Sequence, residues 1–399
     1  MVYIGSVLGS LLTTLFFVFI IATIGYLIGG LEIKGISLGT AGVLLVALLF
    51  GILASKVGTF TVGETDITLW SGDIKKMFSL ISNIGTALFV SGVGLIAGPK
   101  FFRSFNKSST MSYILMGVII ILAGFVAMAI CVALGVEPAM AIGLLTGALT
   151  STPGLASAKE AFAAGEEQVT SGYGIAYIFG VLGVVFFVQI IPRILKVNIP
   201  EEREKFKAAN AVVIPEPKKK LKKLDALDFF PFMTTVALGI ILGTIKIPGI
   251  NFSLGSSGGT LIVGLIIGHF GHLGPIDMHM TKNTLNVFRE LGLMLFLIGA
   301  GVPGGVNFIT HFKPIYFVYG VIMTTLPMVI GFIFAKYVFK LSIFNNLGSI
   351  TGGMTSTPAL GTLVSVAGTD DVTSAYAATY PIALVIIVVL SKVFGMICG

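Results

Sequence analysis

Charge is scarce in this 399-residue sequence: 11% of the residues are Asp, Glu, Lys or Arg, against 55% hydrophobic. A soluble fold of this length needs far more charge to face water, so a soluble globular protein is excluded. Cysteine is nearly absent. Cys131 and Cys398 are the only two, too few for a disulfide framework and too far apart for a metal site. The phosphate-cradling pattern GxxxxGK[ST] is missing, which excludes an ATP-driven pump within this chain. No nucleophile–base motif is present, so the chain does not read as an enzyme.

What remains is apolar, with a mean hydropathy of +1.01. Runs such as Leu11–Ile28, Val43–Leu53, Ile114–Ala133 and Tyr316–Val338 include several long enough to cross a hydrocarbon layer of about 30 Å. Met1–Ile28 lacks a basic leading segment and is too long for a signal-peptide core, so it reads as the first span. Glycine is abundant at 51 residues, which suits close helix contact in lipid.

The sequence repeats itself. SLGTAG (Ser37–Gly42) returns as SLGSSG (Ser253–Gly258). The glycine-rich run ending at Phe102 aligns with the run ending at Ile309, pairing Gly85 with Gly292, Phe89 with Phe296 and Gly92 with Gly299. TGALTSTP (Thr146–Pro153) matches TGGMTSTP (Thr351–Pro358) at six of eight positions. The next helices match through Tyr173 and Tyr376, then Tyr177 and Tyr380. Chance likeness between apolar helices supplies isolated glycines, but not Thr-Ser-Thr-Pro twice in the same order, so the chain is a duplication.

Residues 1–195 form the first membrane repeat, 196–228 a linker and 229–399 the second repeat. The linker holds EEREKFK, a turn at Pro215–Pro217 and KKKLKK at Lys218–Lys223. That basic stretch accounts for much of the net charge of +7 as an anchor at an anionic leaflet, with no nucleic-acid partner.

The pattern predicts an all-α polytopic membrane protein with five spans per half, near residues 8–29, 37–54, 78–97, 112–134 and 172–192, then 229–246, 258–271, 288–303, 315–338 and 375–395. Between the last two spans of each half lies a TSTP segment that either crosses or re-enters and returns. If it returns, the halves are inverted. Counting basic residues ties the alternatives, but the short basic loop Lys100–Lys107 favours inversion with the N-terminus outside. Each arm beside the break has about a dozen residues, enough for roughly half the bilayer.

Proline removes a donor and disfavours helix in the preceding residue, so the chain unwinds near Thr152 and Thr357. Unpaired backbone at that depth is tolerated only where it lines a cavity or is buried in protein. Freed amides favour an anion and freed carbonyls a cation. The expected substrate site is therefore Thr146, Thr150, Ser151, Thr152 and Pro153, with Thr351, Thr355, Ser356, Thr357 and Pro358. No metal or cofactor is expected, beyond a coupling Na+ or H+.

Tyr173, Tyr177, Tyr376 and Tyr380, four apart on their helices, either face the substrate or sit at an interface. Arg289 and Glu290 near a helix end read as a solvated ion pair. Lys159 and Glu160 follow the first break without charged counterparts, since Val364 and Ser365 stand there. They belong either to a gate or to a surface. His269, His272 and His279 around Asp277 read as a surface loop rather than a metal cluster.

GLLTGALTSTPGLASA (Gly143–Ala158), its echo GSITGGMTSTPALG (Gly348–Gly361) and the paired glycine helices resemble the aspartate:alanine exchanger family of bacterial permeases. The resemblance covers both halves and implies a secondary transporter of small carboxylates or amino acids in a prokaryotic inner membrane. It implies inverted repeats, termini outside, a cytoplasmic linker and elevator-like motion against a homodimeric scaffold. Family members carry a large cytoplasmic insertion between the halves. Here the short basic linker stands in its place, which removes the expectation of a ligand-gated regulatory domain. The sequence shows no evident membrane-embedded arginine.

Overall fold

The computed structural model describes residues 14–33, 36–37, 40–62, 65–101, 108–209, 221–247, 252–306, 308–369 and 372–398. The basic loop through Lys107 and the KKK part of the linker lie outside the described residues.

The first half comprises α1 (Thr14–Gly29), α2 (Ala41–Val57), α3 (Gly72–Phe101), α4 (Ser108–Ala133), α5 (Pro138–Ala148), α6 (Thr152–Ala161) and α7 (Glu166–Ile194). The linker adds α8 (Ile199–Ala209). The second half repeats the order with α9 (Phe229–Thr244), α10 (Gly255–Phe270) and α11 (Lys282–Val306). It continues with a short α12 (Phe308–His311), α13 (Pro314–Ile333), α14 (Ile343–Gly353), α15 (Thr357–Ala367) and α16 (Thr373–Cys398). Small antiparallel hairpins follow α1, α2, α9 and α10 at matched places: β1–β2 (Glu32–Ile33, Ile36–Ser37), β3–β4 (Thr59–Val62, Thr65–Thr68), β5–β6 (Lys246–Ile247, Phe252–Ser253) and β7–β8 (His272–Leu273, Ile276–Asp277).

Helices lie where all ten spans were expected. Among the described residues, six are long and apolar enough to cross a membrane: α3, α4, α7, α11, α13 and α16. The chain is thus a multi-pass membrane protein. Helices α2, α9 and α10 have 16 or 17 residues. At about 1.5 Å per residue they fall short of a full hydrocarbon layer. Helix α3 starts at Gly72, more than a turn before the expected boundary, because Asp73, Lys75 and Lys76 extend it as a polar first turn.

Contacts gather the helices into two groups. Helices α1–α3 pack with α9–α11, and α4–α7 pack with α13–α16. Exchanging the halves maps this pattern onto itself: α2 on α11 answers α10 on α3, and α6 on α16 answers α15 on α7. Helices α3 and α11 cross at matched glycines. A Cβ on Gly85 would collide with the backbone of Phe296, and one on Gly292 with that of Phe89. Gly92 abuts Arg289 while Gly299 abuts Ser82, so numbers rise on one helix as they fall on the other. The two matched helices run antiparallel.

The linker's end is stitched to the second half. Lys222 donates its amide to Pro275 and accepts from Asp277. Asp228 accepts from the Thr281 amide at 2.8 Å and pairs with Lys223 at 2.8 Å. Burial pushes the Asp228 carboxyl upward, but Lys223 and the Thr281 amide outweigh it and hold it below the usual carboxylate range. His279 pairs with Asp277 at 2.8 Å in the same corner.

Candidate functional site

Each TSTP segment is a helix, a break and a second helix. Gly143 packs on Val169 and Gly147 on Tyr173, so α5 runs parallel to α7; Gly165 lies against Ala139, so α6 brings the chain back beside its start. In the second half Gly348 packs on Val372 and Gly352 on Tyr376, giving the same course for α14, α15 and α16.

Both first arms end in the same way. The Thr150 amide donates to Gly147 and the Ser151 amide to Thr146; the Thr355 amide donates to Gly352 and the Ser356 amide to Thr351. This is the pair of hydrogen bonds that closes a helix through a left-handed residue, a place normally given to glycine. Here threonine holds it, at φ 53° for Thr150 and 51° for Thr355. A β-branched residue is strained there. The hydroxyls show what the strain achieves. Thr150 Oγ1 donates to the Met354 carbonyl at 3.0 Å, and Thr355 Oγ1 donates to the Leu149 carbonyl at 2.8 Å. The two tips are tied to one another by reciprocal bonds.

A cavity of about 480 Å³ lies against the joined tips, within the range of roughly 300–1,000 Å³ usual for small-molecule sites. Thr150, Thr152, Pro153 and Thr355 line it, together with Tyr177 and Tyr380. The opposite wall brings Phe89 and Val93 from α3 and Arg289, Glu290, Leu293 and Leu297 from α11. Tyr26, Gly29, Gly30 and Thr40 border it from the end of α1 and the start of α2. The tyrosines form twin pairs: Tyr173 with Tyr177 and Tyr376 with Tyr380, each with ring centroids 5.0 Å apart. Tyr173 is buried behind Tyr177, and its hydroxyl lies 3.3 Å from that of Thr152.

Several expected site residues stand back from the cavity. Thr146 and Thr351 turn their hydroxyls onto their own helices, to Ile142 at 2.9 Å and Leu347 at 2.6 Å. Ser151 accepts from the Gly154 amide and caps α6. Ser356 is fully buried, and its Oγ finds no partner among the described residues. Tyr173 and Tyr376 pack on Tyr177 and Tyr380 and do not themselves line the cavity. The side chains of Thr357 and Pro358 lie outside the described residues.

The sequence reading missed the charged wall. Arg289 Nη2 and Glu290 Oε1 do pair, at 2.6 Å, but both residues border the cavity rather than standing apart from it. The sequence showed no evident embedded arginine, and the structure brings Arg289 into the cavity wall. Gly92 was the available signal: its missing side chain brings α3 against the backbone and Cβ of Arg289.

Apolar helices of crossing length around a cavity with hydroxyls, one guanidinium and one carboxylate define a multi-pass membrane protein with a small chamber of mixed polar and apolar lining. The chain belongs to the Asp-Al_Ex family, "Predicted Permease Membrane Region", which matches residues 17–193 and 231–396. It is 26% identical to an uncharacterized transporter of Bacteroides fragilis, covering 96% of this chain and 98% of that protein. It is 25% identical to one of Desulfotalea psychrophila, covering 95% and 96%, and 23% identical to one of Corynebacterium glutamicum, covering 92% and 95%. The Bacteroides alignment runs over 542 positions against 399 residues here, so that relative carries a long stretch without a counterpart. By family, the protein is a membrane permease.

Proposed function

We propose that this permease is a secondary transporter that exchanges or symports small carboxylates or amino acids. The observation that carries the reading is the cavity itself: two strained, cross-tied tips face a guanidinium–carboxylate pair across a space of about 480 Å³. An arginine receives a carboxylate through paired donors, and the adjacent Glu290 receives an ammonium. Hydroxyls of Thr152, Tyr177 and Tyr380 add neutral partners.

In this reading the TSTP segments are re-entrant hairpins in inverted repeats. Support comes from the antiparallel crossing of α3 and α11, since matched helices that run oppositely are related by a rotation that reverses the membrane normal. Helices α4–α7 and α13–α16 then move as one elevator-like body against α1–α3 and α9–α11. The same reading takes the chain as a homodimer in the inner membrane, with both termini outside and the linker cytoplasmic.

Counterflow in proteoliposomes tests it, using labelled amino acids and mono- and dicarboxylates. Saturable uptake that requires internal substrate is expected. Uptake into empty vesicles driven only by a sodium gradient would replace exchange by ion-coupled symport, and no uptake of any member of the panel would sink the reading.

A further inference from the structure

The cavity is one-sided although the halves match, and the closed side carries a device of its own. Glu160, near the end of α6, reaches the first turn of α10. Its Oε1 accepts from the Ser257 amide at 3.1 Å, and its Oε2 accepts from the Ser257 hydroxyl at 3.2 Å. Lys392 on α16 pairs with the same carboxylate at 2.9 Å and is 12% exposed. The contact is tight enough that a Cβ on Gly255 would overlap the carboxylate, and at φ +68° glycine is at home there. A carboxylate at a helix N-terminus also meets that helix's orphan amides and its positive dipole end. One residue earlier, Lys159 reaches Ser82 on α3 at 3.4 Å and lies 5.9 Å from the Phe296 ring centre.

The matched positions lack these charges. Ser365 stands for Glu160, Gln189 for Lys392 and Ala41 for Ser257. On that side Thr40, the residue before α2, borders the open cavity, and no carboxylate caps α2 among the described residues. Along α3 the two sides are marked by Gly92, against Arg289 in the cavity wall, and Ser82, against Lys159. Ten residues of helix separate them, about 15 Å.

We propose that Glu160, Lys392 and Ser257 form a lock that shuts the far side of the pathway and breaks in every transport cycle. This rests on the transport reading above. The lock joins the tip-bearing helices to the α3–α10–α11 group on one side only, so it selects the conformation in which the cavity opens past α1 and α2. Glu160 and Lys392 act through position and touch no substrate. A half-buried ion pair that also caps a helix joins two groups of helices through several bonds at once, which suits a two-state closure.

The test uses a chain carrying Cys131→Ala, Cys398→Ser, Glu160→Cys and Ser257→Cys. Bridging the two thiols with a short bifunctional methanethiosulfonate is expected to lower exchange at least ten-fold, and reductant is expected to restore it. Exchange at the unbridged rate while the bridge is intact would overturn the lock. The second measurement needs no bridge. In a chain with Ser257→Cys, adding Lys392→Gln is expected to speed its reaction with a membrane-impermeant thiol reagent several-fold from the side opposite the linker. An unchanged rate would overturn the lock as well. Absence of any exchange in the unbridged protein would count against the transport reading and leave the accessibility result to decide the lock.

Discussion

At the scale of single residues, the informative side chains are threonines in a glycine's place. Thr150 and Thr355 keep a left-handed backbone because their hydroxyls bridge the tips. Thr150→Val keeps the branch and the strain but leaves the Met354 carbonyl unpaired, so thermal unfolding in detergent is expected to show a loss of about 1–2 kcal/mol. Thr150→Gly also loses the bond but releases the strain, and its stability is expected to stay within about 1 kcal/mol. Transport in both is expected to fall. Thr152→Ala is expected to cut exchange at least ten-fold with little change in melting, because its hydroxyl borders the cavity beside Tyr173. Transport at the parent rate would remove Thr152 from the site. The sequence made the threonines conspicuous but not their division of labour. A hydroxyl in a helix can bond its own i−4 carbonyl, as Thr146 does, or turn away, and only packing decides which.

At the scale of elements, close crossings and sewn ends hold the helices. Gly85→Ala places a methyl against the Phe296 backbone in the α3–α11 crossing. Backbone cannot turn aside as a side chain can, so a loss of about 1–3 kcal/mol is expected in thermal unfolding. Asp228 gives a pH test. Its folded carboxyl is held below the ordinary range, so it contributes stability above the unfolded value near 3.9 and loses it as pH falls through the lower folded value. Asp228→Asn is expected to melt below the parent by a constant margin above about pH 5, and the margin is expected to shrink on acidification below about pH 4. A margin independent of pH would mean that the charge is not what matters. The ten helices were legible because long apolar runs carry their own signal. The two-residue strands of β1–β2, β5–β6 and β7–β8 were not, since a segment that short has no period to read.

At the scale of the whole molecule, the decisive feature is that two matched halves enclose an unmatched cavity. Helix α11 begins beside the β7–β8 corner that holds the linker's end, and Arg289 lies seven residues in, about 10 Å. The cavity is therefore expected to open toward the linker side. A cysteine at Thr40 should react with an impermeant thiol reagent applied from that side and be protected by transported substrate. Reaction only from the opposite side would reverse the assigned opening. The sequence by itself determined that the chain lives in a membrane, that it is a duplication, and that each half is interrupted at Thr-Ser-Thr-Pro. Those follow from composition, repetition and proline's missing donor, all of which are local or additive along the chain. Only the tertiary structure decided which hydroxyls face the cavity, that Arg289 and Glu290 join them, and that Glu160 closes on α10, a contact its counterpart Ser365 has no carboxylate to make. These depend on contacts between residues about 100 to 200 positions apart, where identical motifs meet different neighbours, and a linear pattern carries no record of which neighbour that is.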